Sequence, residues 1–298
     1  MNTGILAKNS RAAYDILKAC ELCPRRCGVN RLKGKKGFCG APLQPIVYSW
    51  FAHPGEEPPI SGARGSGTIF FAHCTMRCVY CQNYKFSQLP GGKEITADEL
   101  AGIMLSLPNA GGHNVNLETP THFIPQILEA LCVAVEKGLN IPIVYNTGGY
   151  DAVCALRLLD GVVDIYLPDM RYGSDENAMS FSNAPGYVKI NQEAVSEMFR
   201  QVGSMVAGQD GIAKKGLVVR HLVLPNGVAC SEDVFRFLSE RISKNVHISL
   251  MGQYHPAHRA FEFARINRGI TKEEYEETFA LLVIYGLVNG GAQEAAGN

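Results

Sequence analysis

The sequence has no excess of charge of either sign and no long apolar run. Its 298 residues include 28 Lys and Arg against 28 Asp and Glu, whereas proteins that bind nucleic acid or acidic membranes through their overall charge are basic. No segment reaches the roughly 18 consecutive apolar residues of a membrane span, and the N-terminal region lacks the apolar core and cleavage site of a signal peptide. We therefore expect a cytoplasmic protein with neither a nucleic acid nor a membrane as partner.

Disulfide bonds are a second expected absence, because they are rare in the reducing cytosol. Seven of the ten cysteines nevertheless form two groups, and close grouping of this kind is typical of metal sites. The groups are C-x2-C-x3-C-x11-C, formed by Cys20, Cys23, Cys27 and Cys39, and C-x3-C-x2-C, formed by Cys74, Cys78 and Cys81.

Regular hydrophobic periodicity is lacking in residues 1–65, which are rich in Cys, Gly, Pro and basic residues. A region without a periodic core needs a metal or a partner surface to hold it, so we predict a small Cys-rich N-terminal extension. Residues 66–290 follow a different pattern, in which short apolar runs alternate with amphipathic segments. Residues 291–298 are predicted to be a flexible tail.

The alternating part contains six predicted strand–helix units. The strands are predicted over 68–72, 114–118, 141–146, 162–168, 216–225 and 247–252, and the helices over 95–107, 123–137, 152–159, 192–202 and 231–242, with a last helix opened by Thr271. Such alternation predicts a parallel sheet with right-handed crossovers. A doubly wound sheet would carry a glycine-rich phosphate turn after its first strand, but here a cysteine loop follows that strand. We therefore predict an α/β fold, a partial (β/α)6 TIM-like barrel, with its chemistry at the C-terminal strand ends.

The C-x3-C-x2-C loop raises the question of its fourth ligand. A structural zinc site takes four protein ligands, whereas three thiolates leave one position open. That arrangement suits a 4Fe–4S cluster whose fourth iron binds a non-protein ligand. The alternative is a zinc knuckle with His73 as fourth ligand, although a ligand adjacent to Cys74 would strain a shared tetrahedron.

With Tyr80 directly before its third cysteine, this loop resembles the fingerprint of the radical S-adenosylmethionine superfamily. The resemblance covers nearly the whole chain, and the chain looks like an uncharacterised group related to pyruvate formate-lyase activating enzyme. The radical S-adenosylmethionine enzymes of AMMECR1–Memo gene clusters are similar as well. The runs that carry the resemblance are CELCPRRCGVNRLKGKKGFCG, GEEPPISG, GSGTIFFAHCTMRCVYCQNY, PTHFIPQILEAL, IPIVYNTGGY, VDIYLPDMRY and RHLVLP.

The resemblance implies a cofactor, a reaction and partners. S-adenosylmethionine would chelate the open iron, and an electron from the reduced cluster would cleave it to a 5′-deoxyadenosyl radical that abstracts hydrogen from the substrate. A protein or peptide substrate is implied by the activating enzymes alone. A reductase such as flavodoxin or ferredoxin is implied because the cluster must be reduced before each cleavage.

The same resemblance assigns cofactor contacts to the strand ends. Glu118 matches the last residue of a Gly-Gly-Glu motif, with Asn116 and Leu117 at the glycine positions, and would accept from the methionine ammonium. Its alternative role is an ion pair with a basic neighbour. Asn146 and Thr147 suit the ribose hydroxyls, and both also suit an N-cap of the next helix.

Further polar residues lie beyond the later strands. Asp169 and Arg171 match an Asp-x-Lys pattern, with Arg in place of Lys, and Arg171 would hold the cofactor carboxylate through two parallel hydrogen bonds. Because side chains alternate along a strand, only one of the adjacent Arg220 and His221 faces the barrel interior, and we choose Arg220. The family pattern adds Tyr80, Gln253 and His255 as cofactor or substrate contacts.

The N-terminal cysteine group keeps three interpretations open. Its four thiolates could close a zinc tetrahedron, hold a second 4Fe–4S cluster, or stay reduced without metal. Three functions also stay open: hydrogen abstraction from a protein or peptide, hydrogen abstraction from a small biosynthetic molecule, and a non-catalytic metal-binding module.

Overall fold

A computed structural model describes residues 1–89 and 91–293, which build one mixed sheet flanked by helices. The strands are β1 Ile46–His53, β2 Ser66–Phe71, β3 Lys93–Glu94, β4 Val115–Glu118, β5 Ile143–Thr147, β6 Ile165–Pro168, β7 Val206–Ala207, β8 Ala213–Leu222, β9 His247–Met251 and β10 Gly290–Gln293. The helices are α1 Thr3–Ile16, α2 Pro58–Ser61, α3 Tyr84–Ser87, α4 Ala97–Ser106, α5 Ile124–Glu136, α6 Val153–Leu156, α7 Asp175–Ser182, α8 Tyr187–Val202, α9 Ser231–Phe237 and α10 Lys272–Ile284.

Parallel strands form the main part of the sheet, in the order β2-β4-β5-β6-β8-β9-β10. Strand β1 pairs antiparallel with β2, and β3 pairs with β1 at the outer edge. In the described residues β10 does not pair with β3, so the barrel is open. All residues of β5 and β6 are buried, as expected for strands covered on both faces. The predicted partial (β/α)6 barrel is confirmed, and β10 adds a seventh parallel strand that its Gly290–Gly291 sequence concealed.

Helix starts follow the predicted capping chemistry. Thr96 and Thr271 each cap a helix by accepting from the backbone N–H group three residues later, and a glutamate at that position reciprocates. Helix α8 begins at Tyr187, five residues before the predicted start at 192, and α7 was not predicted at all. Among the helices of residues 1–89 and 91–293, none has the length and apolar character to cross a bilayer.

The N-terminal region is more regular than predicted. Helix α1 packs on α5, where the Ser10 hydroxyl donates to the Pro125 carbonyl at 3.3 Å, and β1 belongs to the barrel sheet. The cysteine-bearing residues 20–39 between them contain only one short 3-10 turn, Arg31–Lys33. The boundary at residue 65 stays a prediction. Of the predicted tail, 291–293 belong to β10, and 294–298 lie outside the described residues.

Candidate functional site

The C-terminal ends of the parallel strands meet the cysteine loop at one cavity. This cavity has an empty volume of about 580 Å³ and is lined by all three cysteines of the C-x3-C-x2-C group. The neighbouring strands contribute Glu118 from the end of β4, Thr147 from the end of β5, Asp169 after β6 and Arg220 from β8. The fold therefore brings thiols, carboxylates and a guanidinium together where barrel chemistry is expected.

Each thiol of the loop has a polar neighbour. The backbone N–H of Met76 donates to Cys74 Sγ at 3.4 Å, and Cys81 Sγ lies 3.3 Å from the Ser87 hydroxyl. Burial, followed by the nearby Cys78, raises the pKa of the Cys81 thiol to about 11. These thiols become good ligands only when a metal displaces their protons.

A chain of buried hydroxyl groups reaches the remaining thiol of the loop, that of Cys78. The Ser182 hydroxyl, at the end of α7, donates to Cys78 Sγ at 3.0 Å. The Tyr172 hydroxyl lies 2.7 Å from the Ser182 hydroxyl and 2.7 Å from that of Tyr80. Tyr80, predicted as a cofactor contact, also lines a wider cleft that continues outward from this cavity. Neither residue was predicted as a site residue: Ser182 ends α7, which has no clear hydrophobic period, and Tyr172 lies on the connection between β6 and α7.

Asp169 is the centre of a buried charge network. It accepts a hydrogen bond from Arg220 Nε at 2.8 Å and another from Arg171. Arg220 also donates to Asn146 Oδ1 at 2.5 Å and faces a carboxylate oxygen of Glu56 at 3.6 Å. Arg220 thus points into the barrel interior, as predicted. The residues of this network lie near the C-terminal ends of β5, β6 and β8 or on the β1–α2 connection.

Glu118 lines both the inner cavity and the wider cleft outside it. Its burial raises the carboxyl pKa to about 7, against the opposing influence of Arg220. A carboxyl group with a pKa near neutrality changes charge over the physiological pH range. Glu118 can therefore lose its proton near neutral pH and bind a cationic group as a carboxylate.

Not every predicted contact faces the cavity directly. Thr147 lines it but donates its hydroxyl hydrogen to Asp151 Oδ2 at 2.7 Å, while Asn146 lies behind it against Arg220. Helix α6 begins at Val153 with Ala152 as N-cap, so the alternative of an N-cap at residue 146 or 147 was wrong. Asn116 is fully buried and donates to Glu56 Oε1 at 3.0 Å, which makes it a support for that carboxylate.

The wider cleft continues outward from the cavity, with an empty volume of about 1110 Å³. Gln253 lines it, whereas His255 is exposed and lies 3.2 Å from the side chain of Gln82. The cleft also contains Glu56, which was not predicted. Burial raises the Glu56 carboxyl pKa to about 8, and Arg220 opposes this rise. The only signal for Glu56 was its acidic pair in the loop run GEEPPISG.

In the part of the chain that the structure describes, no group of three or more His, Cys, Asp or Glu side chains is arranged to bind a single metal ion. His73, the alternative zinc ligand, faces His122 with ring centroids 6.4 Å apart. A 4Fe–4S cluster binds each cysteine at a different iron, so its ligands need not converge on one ion.

Comparisons with known proteins give one clear relative and a structural likeness. The uncharacterized protein MJ0674 of Methanocaldococcus jannaschii is 32% identical over 282 residues, which cover 92% of this chain and 77% of that protein. No protein-family model matches the chain.

Two solved structures of HydG, a maturase of the FeFe-hydrogenase, share the fold. One has a TM-score of 0.50 and 15% identity, covering 74% of this chain and 48% of that chain. The other, from Carboxydothermus hydrogenoformans, has a TM-score of 0.51 and 12% identity, covering 76% and 52%. The chain thus spans about half the length of these proteins. At such low identity, the likeness confirms the α/β barrel fold.

Proposed function

The chain belongs to the family of the Methanocaldococcus jannaschii protein MJ0674, and from its cysteine loop we propose that it is a radical S-adenosylmethionine enzyme. The observation that carries this proposal is the shared cavity. Three cysteines with the superfamily spacing line it together with buried carboxylates and guanidiniums from adjacent strand ends. The fold shared with HydG supports the proposal, because it sets the loop at the C-terminal edge of a parallel barrel.

The residues present fit an iron–sulfur cluster and its zwitterionic cosubstrate. Cys74, Cys78 and Cys81 would bind three irons of a 4Fe–4S cluster. Within residues 1–89 and 91–293, the buried Arg171 Nε makes no hydrogen bond, and an unsatisfied buried donor is costly unless a ligand completes it. It would receive the cosubstrate carboxylate, and Glu118 would receive its ammonium.

When bound, the reduced cluster would supply the electron that cleaves S-adenosylmethionine to methionine and a hydrogen-abstracting 5′-deoxyadenosyl radical. The protein's part is orientation and charge balance. Asp169 fixes both guanidiniums in place, and Arg220 couples that carboxylate to Glu56 and Asn146. Such a pre-organised network holds the cosubstrate without reorganising during the reaction.

For the substrate, we propose hydrogen abstraction from a protein or peptide, as in the activating enzymes that the sequence resembles. An external reductase such as flavodoxin or ferredoxin would supply the electron. The outer cleft lies beside the cavity and is lined by polar side chains such as Gln82, Asn83 and Gln253, which suit hydrogen bonds to a peptide segment beside the cosubstrate.

A small-molecule substrate is the second candidate, and one observation favours it. The run GEEPPISG folds over the cleft as a turn and α2, and it inserts the Glu56 carboxylate between Arg220 and Asn116. A buried carboxylate in the outer cleft is a recognition group for a cationic or hydroxylated small molecule.

The test is formation of 5′-deoxyadenosine by anaerobically reconstituted, dithionite-reduced protein. We expect turnover in the wild type and none in the Cys78→Ala variant, because the cluster loses a ligand. Cys154→Ala removes an exposed thiol outside the site and should behave as the wild type. An intact cluster that releases no 5′-deoxyadenosine would favour the metal-binding module. Deuterium transfer into 5′-deoxyadenosine from labelled peptides or labelled small molecules would separate the two substrate classes.

A further inference from the structure

Residues 20–39, called here the N-terminal cysteine loop, bring four thiols into one neighbourhood. Cys20 and Cys23 are buried, and Cys27 and Cys39 are half-buried. The Cys20 carbonyl accepts from the N–H of Gly28, next to Cys27, at 3.1 Å, and the Cys23 carbonyl accepts from the N–H of Arg26 at 3.1 Å in the turn between them. The turn Gly37–Gly40, which carries Cys39, lies against the side chain of Cys27. The backbone therefore folds the four cysteines toward one another. In the sequence they are spread over twenty residues, so the fold of the loop assembles them.

Backbone N–H groups point at three of these sulfurs. The N–H of Phe38 donates to Cys27 Sγ at 3.3 Å, and Cys23 and Cys39 each accept from the N–H group two residues later. Gly37 leaves the space that this requires, since a Cβ there would lie 2.9 Å from Cys27 Sγ. Hydrogen bonds to sulfur are typical of the cysteines that hold iron–sulfur clusters.

The C-x3-C-x2-C loop uses the same local geometry. Cys74 accepts from the N–H of Met76 at 3.4 Å, and Cys81 accepts from that of Asn83. Two cysteines in each loop, Cys23 and Cys39 in one and Cys74 and Cys81 in the other, therefore accept from the N–H group two residues later, although the cysteine spacings differ. A shared turn of this kind points to a shared role as thiolate ligands.

Direct contacts join the two loops. Arg25 Nε donates to the carbonyl of Thr75 at 3.0 Å, and its guanidinium stacks on the Phe38 ring at 3.7 Å. Arg77 donates to the Phe38 carbonyl at 3.1 Å from the other loop. Thr75 follows Cys74 and Phe38 precedes Cys39, so these contacts connect residues adjacent to thiols of both groups.

We infer that Cys20, Cys23, Cys27 and Cys39 bind a second metal centre, a 4Fe–4S cluster. Four thiolates complete the coordination of such a cluster, which needs no outside ligand. The contact between the loops favours a cluster over zinc, because a redox-active centre beside another can exchange electrons with it and zinc cannot. The N-terminal centre is therefore closed, whereas the C-x3-C-x2-C centre stays open to the cavity.

The test is metal content in anaerobically purified full-length protein. We expect the wild type to contain twice the iron and acid-labile sulfide of a variant in which Cys74, Cys78 and Cys81 are all alanine. A Cys23→Ala/Cys39→Ala variant should also lose half of the iron, and Cys154→Ala should lose none. The first variant leaves the N-terminal loop unaltered, so its remaining iron reports the second centre even where the double variant folds poorly.

Two results would overturn the inference: no iron in the triple variant, or zinc in place of iron at the N-terminal loop. Iron for one cluster in both the wild type and the triple variant would support the second centre and would count against a cluster at the C-x3-C-x2-C loop. None of these measurements depends on S-adenosylmethionine cleavage. Failure of the second centre and failure of the proposed function are therefore separate outcomes.

Discussion

The two cysteine loops present the same thiol chemistry in different surroundings. The C-x3-C-x2-C loop shares a cavity with carboxylates and guanidiniums from three strand ends, whereas neither cavity described above is lined by a cysteine of the N-terminal loop. Arg171 reaches the first loop as a cavity-lining donor, and Arg25 reaches it as a structural contact to Thr75. The comparison teaches that the surrounding charges, more than the thiols, distinguish a site that handles a substrate from a closed centre.

The largest expected effect is on S-adenosylmethionine affinity, and it should differ between the arginines that contact the C-x3-C-x2-C loop, Arg171 and Arg25. Arg171→Gln removes both the positive charge and the planar fork that binds a carboxylate through two hydrogen bonds. We expect it to weaken S-adenosylmethionine binding by roughly 10- to 100-fold, about 1.4–2.8 kcal/mol. Equilibrium dialysis against the reconstituted protein measures this affinity.

The matched control is Arg25→Gln, the same change at the contact between the loops. It should leave the affinity within about twofold of the wild type, because Arg25 lies outside the cavity lining. Equal losses in the two variants would break the division between a substrate-handling loop and a closed one.

The second expected effect is a pH dependence confined to the open site. The Glu118 carboxyl has its pKa raised to about 7 by burial, so below that pH it is neutral and attracts an ammonium poorly. S-adenosylmethionine affinity should therefore rise by up to about tenfold per pH unit until pH 7 and then level off. Glu118→Gln should bind weakly at every pH and lose this rise, and a Glu118→Gln profile that still rises would assign the titration to another group.

The same raised pKa values carry a stability prediction with the opposite direction. A carboxyl group whose pKa is higher in the folded state than in the unfolded state binds protons preferentially when folded. The free energy of unfolding should therefore fall as pH rises from about 4.5 to about 8, the range set by Glu118 and Glu56. In the Glu56→Gln variant, the free energy of unfolding, measured by thermal unfolding at a series of pH values, should fall less steeply with pH than in the wild type. An unchanged pH dependence would count against the burial of this carboxyl.

The barrel could be predicted from the sequence because the patterns that indicate it are local. Strand–helix alternation, the capping residues Thr96 and Thr271, and a cysteine loop directly after a buried strand depend on neighbours along the chain. They predicted both the fold and the position of the C-x3-C-x2-C loop. The prediction failed where a short element has little apolar content, as in glycine-rich β10 and in α7.

Residues brought in by long-range contacts were harder to foresee. Glu56 reaches the cleft because β1 pairs antiparallel with β2, and the loop-like composition of residues 41–67 concealed that strand. Ser182 reaches Cys78 across 104 positions of sequence separation. No pattern of spacing announces such a contact, because it depends on how α7 packs and not on α7 itself.

A fourth prediction sharpens the comparison through the space around the backbone of the N-terminal cysteine loop. Gly37→Ala would set a Cβ 2.9 Å from Cys27 Sγ, so we expect loss of the N-terminal metal and destabilisation by about 1–3 kcal/mol. Gly102→Ala, on the exposed side of α4 with open space around it, should stabilise the protein by about 0.5–1 kcal/mol. Metal analysis and thermal unfolding measure the two effects, and a Gly37→Ala variant with full metal content would contradict the tight approach to Cys27.

The smallest expected effect concerns the hydroxyl chain that reaches Cys78 in the C-x3-C-x2-C loop. Because the Ser182 hydroxyl donates to Cys78 Sγ at 3.0 Å, it should stabilise the more negative, reduced state of a bound cluster. Ser182→Ala should lower the midpoint potential by an amount on the order of tens of millivolts, measured by redox titration with electron paramagnetic resonance. Ser180→Ala, on the exposed face of the same helix, should leave the potential unchanged. If both variants keep the wild-type potential, Ser182 serves packing alone, and the charges around the open loop act on the cosubstrate without tuning the iron.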